Sequence, residues 1–426
     1  MKTRVVVTGM GVVSPIGNGL EAFEKSLREG HSGIRFQPEL EKLQFGCQVA
    51  GVSELSEETI NSYFSEEQQI GMNSHILFAC IAAMDAWKDA GLEILPENSE
   101  KVHWDCGAIV GTGVGGIDTI GERLVPMTNE GRVRRLGSTI IERVMVSGAS
   151  AKVGGLLGLG GQVSSNSCAC STGTEAIAEA AWRIEQGLCN RMLAGGSEGV
   201  SLYTWAGFDA MRVLNRNHNQ SPEKASRPMS ASAAGFVPGS GAGVLMIESL
   251  ESAQARGARI YAELIGKAVN CGGQRMGGSM TAPNPTGVQR CIQEALTNAN
   301  IQGSQVDAIN GHLTATFADP YEIQNWQQGL QVTPETFPRI NATKSLIGHA
   351  LGAAGGLESV ACVLQIYKKF IHGSLNCSDL HEKIKDYQHS VIQETQDFPD
   401  LRVLAKASFG FGDVNSCLIF KAWESK

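Results

Sequence analysis

One cysteine of this sequence stands where a thiol can do covalent work. Cys170 closes the segment Val163-Ser164-Ser165-Asn166-Ser167-Cys168-Ala169-Cys170, which reads as extended. Ser171-Thr172-Gly173-Thr174 then leads into Glu175 to Glu185, an alanine-rich stretch at helical spacing with no internal proline or glycine. A strand-to-helix turn offers unpaired backbone N–H groups and the positive end of a helix dipole, and both favour a thiolate. The N–H of Cys170 is also placed to help hold a tetrahedral oxyanion. The pattern points to a nucleophile for acyl transfer. Cys168, two positions earlier in an extended segment, shares the same side and is a rival; the helix onset favours Cys170.

A thiol that accepts and hands on acyl groups needs polar partners, and the second half of the chain carries two glycine-flanked histidines. His312 emerges at the tip of the apolar run Ile309-Asn310-Gly311, followed by Leu313-Thr314-Ala315-Thr316. His349 follows Thr343-Lys344-Ser345-Leu346-Ile347-Gly348 and precedes a helix that contains Glu358. Lys344 lies in an uncharged stretch, where a buried ammonium needs a partner, and Glu358 is the candidate. Ser408-Phe409-Gly410-Phe411-Gly412-Asp413-Val414-Asn415 is a glycine-flanked aromatic loop that offers backbone N–H groups and, in Phe411, a gate for a pocket. Zinc bound by Cys170, His312 and His349 is disfavoured, because the short-range ligand spacing usual for zinc is missing.

The elements that must position these residues alternate. Strands are expected at Val5 to Thr8, Ala108 to Val110, Met192 to Ala194 and Gly243 to Ile247, with helices near 20–27, 74–90 and 249–256. The pattern restarts with a strand at 259–264 and continues with strands at 306–310, 340–344, 402–407 and 416–420 and helices near 286–299 and 354–369. Alternation of this kind means an α/β protein with a sheet covered on both faces. The restart divides the chain into an N-terminal half, 1–256, carrying the nucleophile, and a C-terminal half, 257–426, carrying the histidines, the lysine and the gate loop. Gly9 and Gly11 do not complete a dinucleotide fingerprint, since Ser14 stands at the third glycine.

Composition narrows the function classes. The 426 residues are 42% hydrophobic and 18% charged with 51 glycines, a globular composition. A net charge of −8 gives no general attraction to nucleic acid or anionic membrane. Eleven cysteines without CxxC pairs read as reduced thiols of a cytoplasmic protein. No signal-peptide core or transmembrane-length apolar run is found.

Taken in order, Cys168-Ala169-Cys170-Ser171-Thr172-Gly173, His312 with Thr314 and Thr316, Lys344 through His349, and Phe409 through Asn415 resemble the four motifs of the β-ketoacyl-[acyl-carrier-protein] synthases. These belong to the condensing-enzyme, thiolase-like superfamily. The resemblance covers essentially the full length. It implies a thiolase-like five-layered αβαβα fold of two pseudo-repeated halves, normally dimeric, and no bound cofactor, the substrates arriving on the phosphopantetheine of an acyl carrier protein. It also implies that Cys170 carries the acyl chain, and that His312 and His349 stabilise the charge formed as malonyl-carrier protein loses CO₂. Lys344 with Glu358 would set the electrostatics, and Phe411 would gate the pocket and complete the oxyanion hole. Thr314, Thr316 and Phe409 match positions along the pantetheine arm, and Val114 the position lining the acyl pocket near the dimer interface.

Several positions depart from the family pattern. Leu313, Ala315 and Phe317 interrupt the first histidine motif, and Asp319-Pro320-Tyr321-Glu322 arrives one residue early. Ser230 to Phe236 lacks the usual aspartates and arginine, and Asp413 stands where another glycine is common. The helix start Ser65-Glu66-Glu67-Gln68 is acidic where basic residues often meet the acidic carrier; Arg132, Arg134, Arg135 and Arg212 offer a different positive patch. The resemblance makes fatty-acid elongation the expected activity, and these departures add two alternatives. One is a polyketide or polyene ketosynthase paired with a cysteine-less, chain-length-determining subunit. The other is a non-catalytic partner subunit, against which Cys170 argues.

Overall fold

The computed structural model describes residues 3–424. Ten strands carry the architecture: β1 (Val5–Ser14), β2 (Cys106–Gly111), β3 (Val163–Ser164), β4 (Arg191–Glu198), β5 (Gly241–Ser249), β6 (Ala262–Cys271), β7 (Ala308–Asn310), β8 (Arg339–Asn341), β9 (Val403–Gly410) and β10 (Val414–Ala422). In space the first five run β3-β2-β4-β5-β1 and the second five run β8-β7-β9-β10-β6. Each half has the same order and the same directions. The second strand pairs in parallel with the third and fourth, and the fourth, fifth and first pair antiparallel. The half-sheets join where Val6 and Val7 of β1 meet Glu263 and Ala262 of β6. This is the two-fold pseudo-repeat of the thiolase-like fold.

Six helices make the remaining layers: α1 (Ser74–Asp89), α2 (Gly148–Leu157), α3 (Thr172–Glu185), α4 (Pro285–Ala299), α5 (Asp319–Leu330) and α6 (Ala354–Lys368). α1 and α2 cover one face of the first half-sheet, α4 and α5 the outer side of the second, and α3 and α6 pack together between the halves. Strand alternation divides the cores accordingly. Ala194, Leu404 and Leu418 face α3 and α6, while their neighbours Leu193, Ala405 and Ile419 face the outer helices. The layers approach closely because glycines replace side chains. A Cβ on Gly11 would lie 1.9 Å from the Ala82 carbonyl oxygen of α1, so this glycine serves strand–helix packing. A Cβ on Gly356 would lie 2.1 Å from the Gly243 carbonyl oxygen, and one on Gly173 would lie 2.6 Å from the Gly356 nitrogen. The central helices therefore touch through backbone, which brings the turn before α3 against the start of α6.

Two local expectations differ from the structure. The strand expected at 340–344 ends at Asn341, and Lys344 opens a single helical turn, Lys344–Ile347. The Asn310 amide reaches both Asn341 and Thr343, 2.9 Å each, and turns the chain out of the sheet. The segment before Cys170 is extended only at Val163–Ser164; Ala169–Ser171 is a 3₁₀ turn with Ala169 at φ 48°. Thr172 closes that turn, its hydroxyl accepting from Cys168 N–H at 2.8 Å and donating to the Ala169 carbonyl at 2.7 Å. No helix among the described residues is long and apolar enough to cross a membrane, and the eleven cysteines are free thiols.

Candidate active site

The tight turn separates the two cysteines. Cys168 is half-buried beside Glu175, and burial followed by that carboxylate pushes its thiol up to about 12. Cys170 is buried with its Sγ 3.1 Å from His349 Nε2, and the backbone N–H of Phe411 also points at it. Sγ and one ring nitrogen of each of His312 and His349 lie within 4.8 Å of one another. The two imidazoles cross nearly at right angles, centroids 5.4 Å apart.

Hydrogen bonding sets the tautomers. His349 Nδ1 accepts from Leu351 N–H at 3.2 Å, which leaves the ring hydrogen on Nε2, facing Cys170. Lys344 Nζ lies 3.4 Å from His312 Nδ1, which places that ring's hydrogen on Nε2 as well. Burial, and then the charge of Lys344, holds both histidines well below the usual imidazole range. Both are therefore neutral donors at physiological pH. Lys344 is itself buried and ion-paired with Glu358.

The lowered thiol pKa expected at the nucleophile is not found. Burial pushes the Cys170 thiol up to about 11, against the opposing pull of Lys344 and of the Phe411 N–H. Cys170 is thus mainly a thiol at neutral pH. Alkylation of Cys170 by iodoacetamide, followed by peptide mass spectrometry, should accelerate about tenfold per pH unit between about pH 7 and pH 10. A rate already flat above pH 7 would contradict this.

A cavity of about 450 Å³ opens onto Cys170, His312 and His349, and Thr314, Thr316, Phe409 and Phe411 also line it. Phe411 is linked to the catalytic cluster by edge-on aromatic contacts: Phe411 to Phe208 at 6.0 Å, Phe208 to Phe236 at 5.3 Å, and Phe236 to His349 at 5.3 Å. Val114 lies outside this cavity; its side chain is exposed and its N–H donates to Glu198.

Four buried charged groups at the site were given no role by the sequence reading. Glu198 accepts from the N–H groups of Gly113, Val114 and Gly352, fixing the loop after β2 against the start of α6. Glu322 accepts from His312 and Leu313 N–H, and Asp319 from Thr314, Ala315, Thr316 and Met229 N–H. These bonds hold a loop in which Leu313 and Ala315 have positive φ. Burial drives Glu322 up to about 7 and Asp319 up to about 6. The fourth is Lys406, fully buried in β9 with Nζ 2.6 Å from Glu358 Oε2. Its sequence signal was a lone lysine within Val403-Leu404-Ala405-Lys406-Ala407. Asp413, at its glycine-like position, has φ 62° and accepts from Gln274 and Asn284 N–H, tying the gate loop to the 272–284 segment.

Fold and cluster together define a condensing enzyme of the thiolase-like class. The description "Beta-ketoacyl synthase, N-terminal domain" matches residues 2–253, and "Beta-ketoacyl synthase, C-terminal domain" matches 261–378. The chain therefore belongs to the β-ketoacyl synthase family, whose reaction is decarboxylative Claisen condensation. It is 35% identical to 3-oxoacyl-[acyl-carrier-protein] synthase 2 of Vibrio harveyi over 99% of both chains. It is also 35% identical to the chloroplastic synthase I of Arabidopsis thaliana, over 99% of this chain and 87% of that one. Among solved structures it resembles the ishigamide ketosynthase/chain length factor, with TM-score 0.88, 28% identity and full coverage of both chains. It also resembles a type II PKS ketosynthase solved with its acyl-carrier protein and bound to the hexaketide, with TM-score 0.86, 28% identity, and 99% and 100% coverage.

Proposed function

We propose that Cys170 takes an acyl chain from the phosphopantetheine thioester of an acyl carrier protein and joins it to the two-carbon unit of malonyl-carrier protein. The observation that carries this reading is the contact of Cys170 Sγ with His349 Nε2 beside His312, at the end of a largely apolar cavity. In the first half-reaction sulfur attacks the thioester carbonyl. The N–H groups of Cys170 and Phe411 hold the oxyanion, and the pantetheine thiol leaves with the proton. In the second, the bond from the malonyl α-carbon to its carboxylate breaks and CO₂ departs. The electron pair passes into an enolate whose oxygen takes hydrogen bonds from His312 and His349. The α-carbon then attacks the Cys170 thioester, a carbon–carbon bond forms, and the thiolate leaves.

Lys344 and Glu358 fix His312 in its donor tautomer. Thr314, Thr316 and Phe409 line the path of the pantetheine arm, and Phe411 closes it. The Lys344 ammonium beside His312 opposes a dication at this cluster, so the three residues act as nucleophile and donors, without a metal. Residues 1–256 and 257–426 are the two halves that meet at this site.

Intact-mass measurement after presentation of acyl-carrier proteins of graded chain length tests the reading. We expect one acyl increment, on Cys170; no acylation from any carrier would overturn it. The carrier partner is supported by the names of the similar synthases. The fatty-acid assignment rests on the curated relatives. A polyketide or polyene role with a chain-length partner is favoured by the two structural neighbours and by the departures at Phe317, Ser230–Phe236 and Asp413. The sheet edge at β3 and the exposed Val114, Ile141 and Val146 suit a second subunit, identical or not.

A further inference from the structure

Beneath the catalytic cluster two ammonium groups share one carboxylate. Lys344 pairs with Oε1 of Glu358 and Lys406 with Oε2, the latter at 2.6 Å, and all three side chains are buried. Lys406 Nζ also donates to Ser408 Oγ and to the Ala407 carbonyl, both at 2.7 Å. Ser408 Oγ lies 2.8 Å from the hydroxyl of Thr174, in the first turn of the nucleophile helix α3. A polar chain thus runs from His312 through Lys344, Glu358, Lys406 and Ser408 to Thr174, four residues beyond Cys170. With all three ionised its charges sum to one excess positive charge in the interior, and burial lowers the Lys406 ammonium below the usual lysine range.

Burying an uncompensated ammonium is costly, so it calls for an explanation. Thiolate and enolate are both anions, and a preorganised positive charge stabilises them as they form. We propose that Lys406 is a positioning residue of the condensing site: its ammonium completes the charge cluster on Glu358 beneath the histidines and, through Ser408 and Thr174, fixes the nucleophile helix against Glu358. The titratable and charged groups around the histidines are Cys170, Lys344, Lys406 and Glu322, with each ring also facing the other. Those facing Lys406 are Glu358 and Cys362 from α6, Lys344, and Cys417 from β10. After burial and Lys344, and at His312 after His349 as well, the Lys406 charge holds down the basicity of both rings, which supports the geometric argument.

The inference rests on the condensing reading, and its test separates the two. Decarboxylation of malonyl-carrier protein by the pre-acylated enzyme is followed from pH 5 to 8 for the wild type, Lys406→Met and Lys406→Gln, with urea unfolding as the control for folding. Removing the charge makes the rings more basic, so the acid limb of the rate profile should move upward by about one pH unit, with the loss growing toward about tenfold at the acid end of the range and vanishing above pH 7. Ser408→Ala keeps the ammonium but cuts the tie to Thr174. It should slow acyl transfer to Cys170 with the acid limb in place. An acid limb of either folded Lys406 variant that coincides with the wild type would overturn the proposal. Failure of both variants to fold would overturn it too, by making Lys406 a residue of the fold alone. A wild type that does not decarboxylate malonyl-carrier protein would instead overturn the condensing reading.

Discussion

Cys170→Ala will lose acyl loading altogether, and condensation will fall by about a thousandfold or more, because no other group at the site can hold the acyl chain. The geometry supports so large an effect. Cys168 is turned toward Glu175 and raised to about 12, so it cannot substitute for the missing thiol. The variant should keep its fold, since the substitution removes one sulfur beside an existing cavity. It should also keep slow release of CO₂ from malonyl-carrier protein, because both histidine donors remain. Radiolabelled CO₂ release and intact mass measured on one preparation distinguish the two half-reactions. An acylated Cys170→Ala protein would refute the assignment of the nucleophile.

The second large effect is on stability. Glu358→Ala leaves Lys344 and Lys406 buried without the carboxylate they share, and breaking a buried pair in this way costs about 3–5 kcal/mol. A lower urea midpoint with an unchanged slope is expected. In a cycle with Lys406→Met the double variant should lose less than the sum of the single losses, since one of the stranded ammonium groups has gone. A Glu358→Ala protein within about 1 kcal/mol of the wild type would show that the shared carboxylate does not hold this core.

Much of the site was legible because catalytic side chains must sit at the ends of regular elements, where glycine and threonine mark the turns. Cys170 before α3, His312 after β7 and Phe411 after β9 were found in this way. Glu198, Asp319 and Glu322 were harder to find. They act by accepting backbone N–H groups from loops distant in sequence or folded back on themselves, and no periodicity records that. The extended reading of 163–170 failed because a side chain decides the turn. Thr172 bonds the backbone at Cys168 and Ala169, and that local competition overrides strand propensity.

By itself the sequence determined an α/β class, through alternating apolar runs, and marked the nucleophile and both histidines as candidates at their turns; the layered thiolase-like fold and the roles of these residues followed from the resemblance of the four motifs taken in order. The tertiary structure alone decided which cysteine faces His349, that burial raises the Cys170 thiol against the pull of Lys344, and that two lysines share Glu358. The physical reason is common to all three. Strand and helix patterns depend on neighbours a few residues away, whereas protonation states and charge balance depend on groups the fold brings together from 170, 312, 344, 358 and 406.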